Sequence, residues 1–93
     1  MSKSWSLGNT TAPQTNKIVS VDVSDYDVSG YSQSDFYVSG CNVNASMTAG
    51  SNIAVSASIS SFDSTNKKVN IRIYCGGIQG TFSCNGILVF LKK

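Results

Sequence analysis

The C-terminal stretch Lys67–Lys93, KKVNIRIYC-GG-IQGTFSC-NG-ILVFLKK, decides the predicted fold of this chain. Asn85-Gly86 separates two alternating apolar runs, and an Asn-Gly dipeptide in that setting favours the type I′ turn of a two-residue hairpin. Gly76-Gly77 would turn the chain in the same way, although Gly76 to Gly80 could instead form one longer loop. The stretch is therefore predicted to form a meander of three antiparallel strands.

Both predicted turns place the same apolar side chains on one face of the meander. A slip of one residue would move a whole strand's side chains to the other face, so agreement between two independent turns supports the register. The shared face would carry Val69, Ile71, Ile73, Phe82, Cys84, Ile87, Val89 and Leu91.

The last predicted strand is apolar on both faces, because residues 87 to 91 read Ile-Leu-Val-Phe-Leu. In a sheet covered on one side only, Leu88 and Phe90 would meet water, whereas continuous apolar runs are typical of strands buried on both faces. The sequence predicts that the N-terminal segment or another subunit covers them. Leu88, Phe90 and Trp5 are therefore the candidate interface residues.

The rest of the chain is predicted to be β-rich as well. Polar or glycine-containing loops separate the strands, and Gly40 marks a bulge inside one of them. The four strands predicted before the meander are Ser2–Gly8, Lys17–Ser24, Phe36–Thr48 and Asn52–Phe62. The intervening segments are a loop at Asn9–Asn16, a loop at Asp25–Asp35, a turn at Ala49–Ser51 and a turn at Asp63–Asn66. Seven regularly spaced strands predict an all-β fold, a single antiparallel β-sandwich domain over residues 1–93, with a small barrel as the alternative.

The composition agrees with this class and argues against several functions. Val and Ile total 16 against 3 Leu, and 17 Ser, 8 Asn, 8 Gly and 6 Thr favour strands and turns. A net charge of +2 is too small to indicate nucleic-acid binding. The chain has no apolar stretch of signal-peptide or membrane-helix type, so it is expected to be made in a cytoplasm without membrane insertion.

Catalysis and metal binding have little support in the sequence. The chain lacks His and Glu, which excludes a Ser-His or Cys-His nucleophile system, and we expect no enzymatic activity and no cofactor. The three cysteines, Cys41, Cys75 and Cys84, are interpreted as small buried apolar residues, because a zinc site needs four Cys or His ligands.

One acidic loop resembles the first half of a calcium-binding loop. Asp25, Asp27 and Ser29 alternate before Gly30, and Asp35 follows. The bidentate Glu of such a loop is missing, because Phe36 occupies its position. An acidic loop with local Asx turns is the competing interpretation.

The same region carries Tyr26, Tyr31 and Tyr37 among Ser, Asn and Asp residues. Aromatic rings with hydrogen-bonding neighbours suit sugar rings, so these tyrosines are the candidate ligand-binding residues. The alternative is that they cover the edge of the sandwich or a subunit contact.

The glycine-punctuated segments GGIQGTFSC and NGILVFLKK, within a Ser/Thr/Asn-rich body, resemble the small β-sandwich modules of bacteriophage particles, such as capsid decoration proteins and tail-fibre tip domains. KIVSVDV and SDFYVSGCNV are similar to lectin-like sandwiches that assemble as trimers. These resemblances imply a multimeric, non-enzymatic role in a virion.

Two hypotheses follow from the sequence. The first is a structural assembly protein of a phage virion, which packs against copies of itself or a larger scaffold protein. The second is a carbohydrate-binding adhesin or lectin-like module, which uses the region from Asp25 to Tyr37 to bind a surface glycan.

Overall fold

The computed structural model describes residues 1–47 and 54–91, with the backbone alone at residues 46, 47, 54 and 77–79. The predicted turn at Ala49–Ser51 and the terminal pair Lys92-Lys93 lie outside the described residues. The described elements are β1 (Ser2–Asp22), a short 3-10 helix (Gln33–Asp35), β2 (Phe36–Met47), β3 (Ala54–Asp63) and β4 (Lys68–Phe90). The predicted all-β, antiparallel class is confirmed.

A single sheet is built around β4, which pairs with each of the other three described strands. β1 runs along one side of β4 for nearly its whole length, from Ser2 opposite Val89 to Asp22 opposite Lys68. On the other side, β2 pairs with the C-terminal half of β4 and β3 with the N-terminal half. The predicted seven-stranded sandwich is therefore wrong, because the described strands form one curled sheet of four strands.

The sheet bends back on itself near the middle of β4. A straight strand of 23 residues would span about 75 Å at ~3.3 Å per residue, but the longest dimension of the molecule is 47 Å. Phe36 pairs with Phe90 at one end of β4, and Phe62 pairs with Val69 near the other end. The ring centroids of Phe36 and Phe62 are nevertheless only 4.8 Å apart. The two ends of β4 thus meet, and the sheet forms a half-barrel.

The bend changes which side chains of β4 face inward. In the N-terminal half the odd-numbered residues from Val69 to Cys75 are buried, whereas in the C-terminal half the even-numbered residues from Phe82 to Phe90 are buried. Gly76, Gly77 and Gly80 lie between these halves, and Gly80 has a φ of 141° that glycine adopts readily. Glycine therefore marks a bend within one strand here.

The predicted C-terminal meander is wrong, since Gly76-Gly77 and Asn85-Gly86 are both internal to β4. Gly86 pairs with Trp5 of β1, and a Cβ built on Gly86 would overlap the carbonyl oxygen of Gly40 and approach Trp5 Cζ2 to 2.8 Å. Glycine is required at this position because an indole ring and a neighbouring backbone approach it closely. The strongest turn signal in the sequence thus reflects a packing requirement.

β1 is one continuous strand, where the sequence predicts two strands with a loop between them. The predicted loop Asn9–Asn16 belongs to the strand, where the pairing with β4 shifts register between Leu7 and Thr10, between Ala12 and Gln14, and between Gln14 and Lys17. Such irregularities bend a strand. They let β1 follow β4 around the bend.

Several local predictions are confirmed. The β2–β4 register shifts between Ser39 and Asn42, and Gly40 has a φ of 77°, as expected for a bulge. Asp63 Oδ1 accepts hydrogen bonds from the backbone N–H groups of Thr65 and Asn66, which form the predicted turn between β3 and β4.

The core lies on the concave side of the sheet and under the loop from residue 23 to residue 35. It consists of Trp5, Val21, Val23, Val28, Phe36, Val69, Ile71, Ile73, Cys75, Phe82, Cys84, Leu88 and Phe90. Phe82 is buried, whereas Val89, seven residues away on the same strand, points to the opposite face and is half-buried. The predicted common face therefore holds only for Val69, Ile71, Ile73, Phe82 and Cys84.

Candidate functional site

An apolar strip lies on the convex face at the C-terminal end of β4. Tyr37 of β2 stands directly opposite Val89, and Ile87 and Leu91 share the parity of Val89. Tyr37 is 46%, Leu91 44% and Ile87 39% exposed. We call Tyr37, Ile87, Val89 and Leu91 the outer strip. Its members remain accessible because the even-numbered residues of the same segment fill the core.

Trp5, Leu88 and Phe90, the predicted interface residues, lie in the core of the chain itself. Leu88 is fully buried, and Trp5 and Phe90 are buried almost completely. Side chains enclosed in this way have no surface left for a partner. Leu88 and Phe90 are thus covered by the chain itself, including Trp5 of its N-terminal segment, and the exposed apolar residues are those of opposite parity.

A polar groove of about 330 Å³ borders the outer strip. It lies at the β2 bulge, because Ser39 and Asn42, which flank the register shift, form one wall. We call it the bulge groove, and its lining residues are Ser4, Trp5, Ser6, Ser39, Asn42, Asn85, Gly86 and Ile87. Asn42 Nδ2 donates a hydrogen bond of 3.2 Å to Asn85 Oδ1 across the two strands.

A second depression, of about 490 Å³, lies beside the 3-10 helix and is lined by Ser32, Gln33, Ser34, Phe36 and Ile59. Its two serines, Ser32 and Ser34, are engaged in local hydrogen bonds. Ser32 donates through its backbone N–H and its hydroxyl to Asp35 Oδ2, and the Ser32 and Ser34 hydroxyls are 3.1 Å apart. This depression therefore offers fewer free hydrogen-bonding groups than the bulge groove does.

The calcium candidates Asp25, Asp27, Ser29 and Asp35 are not brought together as a ligand set. Asp25 forms an ion pair with Lys3 at 2.9 Å, Asp27 Oδ1 accepts hydrogen bonds from the N–H and hydroxyl of Ser29, and Asp35 caps the 3-10 helix. Within the described residues, no group of three or more acidic or cysteine side chains is placed to hold a metal ion. The carboxylates of this loop act as local turn and helix caps.

The three candidate sugar-binding tyrosines do not lie on one surface. Tyr26 lies 5.0 Å from Phe90, edge to face, and Tyr31 lies 5.4 Å from Phe36. The two tyrosines belong to an aromatic cluster that closes the end of the half-barrel. Only Tyr37 is exposed, and it lies on the opposite face in the outer strip. The predicted three-tyrosine platform is therefore not assembled.

The cysteines lie close together in the fold, and all three are free thiols. Cys75 and Cys84 are buried as predicted, whereas Cys41, next to the bulge, is half-buried. Burial raises the pKa of Cys84 to about 12, with further contributions from Cys41 and Cys75, and burial also raises the pKa of Cys75. Thiols with raised pKa values stay protonated at neutral pH and are poor nucleophiles.

Three aspartates have lowered pKa values, and each lies in a separate turn. Hydrogen bonds from Ser24 lower the pKa of Asp22, those from Ser29 lower that of Asp27, and those from Asn66 and Thr65 lower that of Asp63. A carboxylate that accepts hydrogen bonds is favoured in its charged form. The lowered pKa values indicate that the charged carboxylates stabilise these turns in the folded chain.

Replacing Asp63 with alanine is expected to reduce the acid sensitivity of the fold. A carboxyl whose pKa is lowered on folding stabilises the protein above its unfolded pKa of 3.8, and that stability is lost as the pH falls through the folded pKa. Urea unfolding at a series of pH values between about 5 and about 2 measures the effect. Identical pH dependence in the variant and the parent would contradict the role assigned to the Asp63 turn.

The sequence did not predict the bulge groove, since its walls come from three strands that are distant along the chain. Two local signals do point toward it. Gly40 interrupts the alternation of β2, and Ser4 and Ser6 alternate with Trp5 and Leu7 in β1. The pairing of these segments through Asn85 and Gly86 became evident only when β4 proved continuous.

Neither a membrane-spanning helix nor a known relative identifies the function of this chain. No helix in the described part of the chain is long and apolar enough to cross a membrane. No protein-family model, no curated protein and no solved structure matches the sequence or the fold.

Proposed function

We propose that this chain is a non-enzymatic structural protein that assembles with copies of itself through the outer strip, as a component of a larger particle such as a bacteriophage virion. The observation that carries the proposal is the exposure of Tyr37, Ile87 and Leu91 side by side on a sheet face. Contiguous exposed apolar side chains mark interaction surfaces in soluble proteins.

The surroundings of the outer strip favour contact between identical copies. Beside Ile87, the neighbouring side chains on the convex face are serines and asparagines, among them Ser4, Ser39, Asn42 and Asn85. Copies that meet along this part of the face place no like charges opposite each other. They can also exchange hydrogen bonds at the rim of the contact, as the polar rims of protein interfaces do.

The size of the outer strip indicates how strong a single contact is. Full burial of a large apolar side chain contributes about 1.5–3 kcal/mol, so a residue that is less than half exposed gains about 1 kcal/mol. Four residues do not make the ~1,200–2,000 Å² of a stable interface. Each contact is therefore weak, and a particle would stabilise the assembly by engaging many copies at once.

A non-enzymatic role is supported by the same structure. The buried thiols of Cys75 and Cys84 have raised pKa values, and the described aspartates are engaged in separate turns, in an ion pair with Lys3 or in the helix cap. The chain lacks His and Glu, and its described residues offer no pair of groups poised for acid–base or nucleophilic catalysis.

Replacing Ile87 and Leu91 together with serine is expected to abolish concentration-dependent self-association. Sedimentation velocity over a range of protein concentrations measures it, and the parent chain should sediment faster as the concentration rises. Ile18→Ser is the matched control, because Ile18 is 41% exposed, is a comparable aliphatic residue and lies outside the outer strip. A parent that stays monomeric at every concentration, or a control that loses association equally, would refute the proposal.

A further inference from the structure

We propose that the bulge groove binds a neutral saccharide. This site is distinct from the three-tyrosine platform of the sequence prediction. It shares Ile87 with the outer strip but does not require self-association. It is defined by the side chains of β1, β2 and β4 that meet at the β2 bulge.

The lining of the groove is polar and uncharged. Three hydroxyls and two amides face the groove, from Ser4, Ser6, Ser39, Asn42 and Asn85, and none of the described lining residues is charged. A sugar presents hydroxyl groups that both donate and accept hydrogen bonds without carrying charge. Hydroxyl and amide side chains match this requirement because each also donates and accepts.

The two asparagines of the groove hold each other in place. The bond from Asn42 Nδ2 to Asn85 Oδ1 fixes the two amides relative to each other. An amide has two donor hydrogens and an oxygen with two lone pairs, so this bond leaves both side chains with donor and acceptor capacity. Two amides held in this way present an ordered array of hydrogen-bonding groups before any ligand arrives, which reduces the entropy lost on binding.

An apolar wall stands beside these polar groups. Ile87 lines the groove and is 39% exposed, and Tyr37 of the outer strip lies on the same face, two residues before Ser39. Sugar rings carry C–H faces that pack against apolar and aromatic side chains while the hydroxyls are hydrogen-bonded. The groove thus combines both surfaces that a saccharide needs.

The groove also has the position and volume of a small-molecule site. Bulges occur preferentially beside functional sites, where they redirect side chains. Its volume of about 330 Å³ lies at the lower end of the ~300–1,000 Å³ that is usual for ligand pockets, which suits a mono- or disaccharide. Because the groove is open to solvent, we expect a dissociation constant in the millimolar range.

The test is a titration of the full chain with glucose, galactose, mannose, N-acetylglucosamine and disaccharides built from them. Trp5, the single tryptophan of the chain, reports binding through its fluorescence, and NMR spectra report its indole N–H and the side-chain amides of Asn42 and Asn85. At least one sugar is expected to saturate with shifts centred on these three residues.

The variants separate this proposal from a general surface effect. Asn85→Ala is expected to weaken binding roughly fivefold, because one net hydrogen bond is lost. Asn44→Ala is the matched control, since Asn44 is an exposed asparagine of the neighbouring strand β2 that lies outside the groove, and the affinity of this variant should equal that of the parent. Circular dichroism confirms that both variants are folded.

Two outcomes would overturn the proposal: no saturable binding of any sugar in the panel, or binding with shifts that map away from the groove and are unchanged by Asn85→Ala. The double variant Val89→Ser/Leu91→Ser, which removes part of the outer strip, should still bind sugar. If the parent chain binds sugar but does not self-associate, only the assembly proposal fails. If it self-associates but binds no sugar, only the saccharide proposal fails.

Discussion

Replacing Gly86 with alanine is expected to lower the free energy of unfolding by at least about 2 kcal/mol, because the added methyl group has no space. A Cβ at this position would overlap the carbonyl oxygen of Gly40 and come within 3.0 Å of Trp5 Cε2. The Gly40 carbonyl belongs to the backbone of a paired strand, so it cannot rotate away as a flexible side chain would. Urea unfolding followed by Trp5 fluorescence measures the change.

Two further variants show whether the reason is packing or turn formation. Gly8→Ala is the matched control, because a Cβ on Gly8 meets nothing within 4 Å, and its stability should be close to that of the parent. Asn85→Thr distinguishes the strand from a hairpin. In a strand a β-branched residue is favoured and the change should stay within about 0.5 kcal/mol. In a type I′ turn it would be strongly destabilising, and that result would contradict the continuous β4.

Replacing Phe36 with alanine is expected to lower the free energy of unfolding by about 3–5 kcal/mol. Phe36 is buried and lies at the centre of the aromatic cluster, within 5.4 Å of the rings of Tyr31, Phe62 and Phe90. This loss is a large part of the ~5–15 kcal/mol that stabilises a typical domain. Tyr37→Ala, measured at low protein concentration, is the control, because Tyr37 is the adjacent aromatic residue on the exposed face.

A double-mutant cycle between Phe36 and Phe62 tests the bend itself. The two rings belong to strands that pair with opposite ends of β4, so they meet only because the sheet folds back. Phe36→Leu and Phe62→Leu, which are milder than alanine, should show a coupling free energy of about 0.5–1.5 kcal/mol. Additive effects would mean that the two ends are apart in solution, and the half-barrel would then be wrong.

Local features of the fold could be predicted from the sequence because their causes lie within a few residues. The alternation of Val55, Ala57 and Ile59 with exposed serines predicts β3, and the structure has a strand there with these three residues half-buried. The turn at Asp63 follows from a carboxylate that accepts hydrogen bonds from the next residues. The bulge at Gly40 follows from a change in parity at a glycine.

The joining of segments into long strands could not be predicted, because its causes lie far apart in the sequence. Asn85-Gly86 has the composition of a hairpin turn, but Gly86 is needed under a tryptophan from the other end of the chain. Residues 87 to 91 are apolar at both parities, so the sequence could not show which side faces the core. The aromatic rings of Tyr26, Tyr31 and Phe36 decided it, since they pack against Phe90 and leave Leu91 outside.

The candidate site shows the same division. The uncharged, serine- and asparagine-rich character of the strands is visible in the sequence, and it supports weak assembly and neutral ligands over catalysis. The position of the groove depends on three strands that meet at Asn85. Its place beside the outer strip depends on the register of β2 against β4.

By itself, the sequence determined the strand content, the local turns and the uncharged polar surface, because side-chain alternation and turn chemistry act over a few residues. Only the tertiary structure decided that β4 passes through its glycines without reversing, and that Leu88 and Phe90 lie inside while Ile87 and Leu91 lie outside. The physical reason is that a glycine permits a turn, a bend or a close contact equally well, and the side chains packed against it from distant segments select among them.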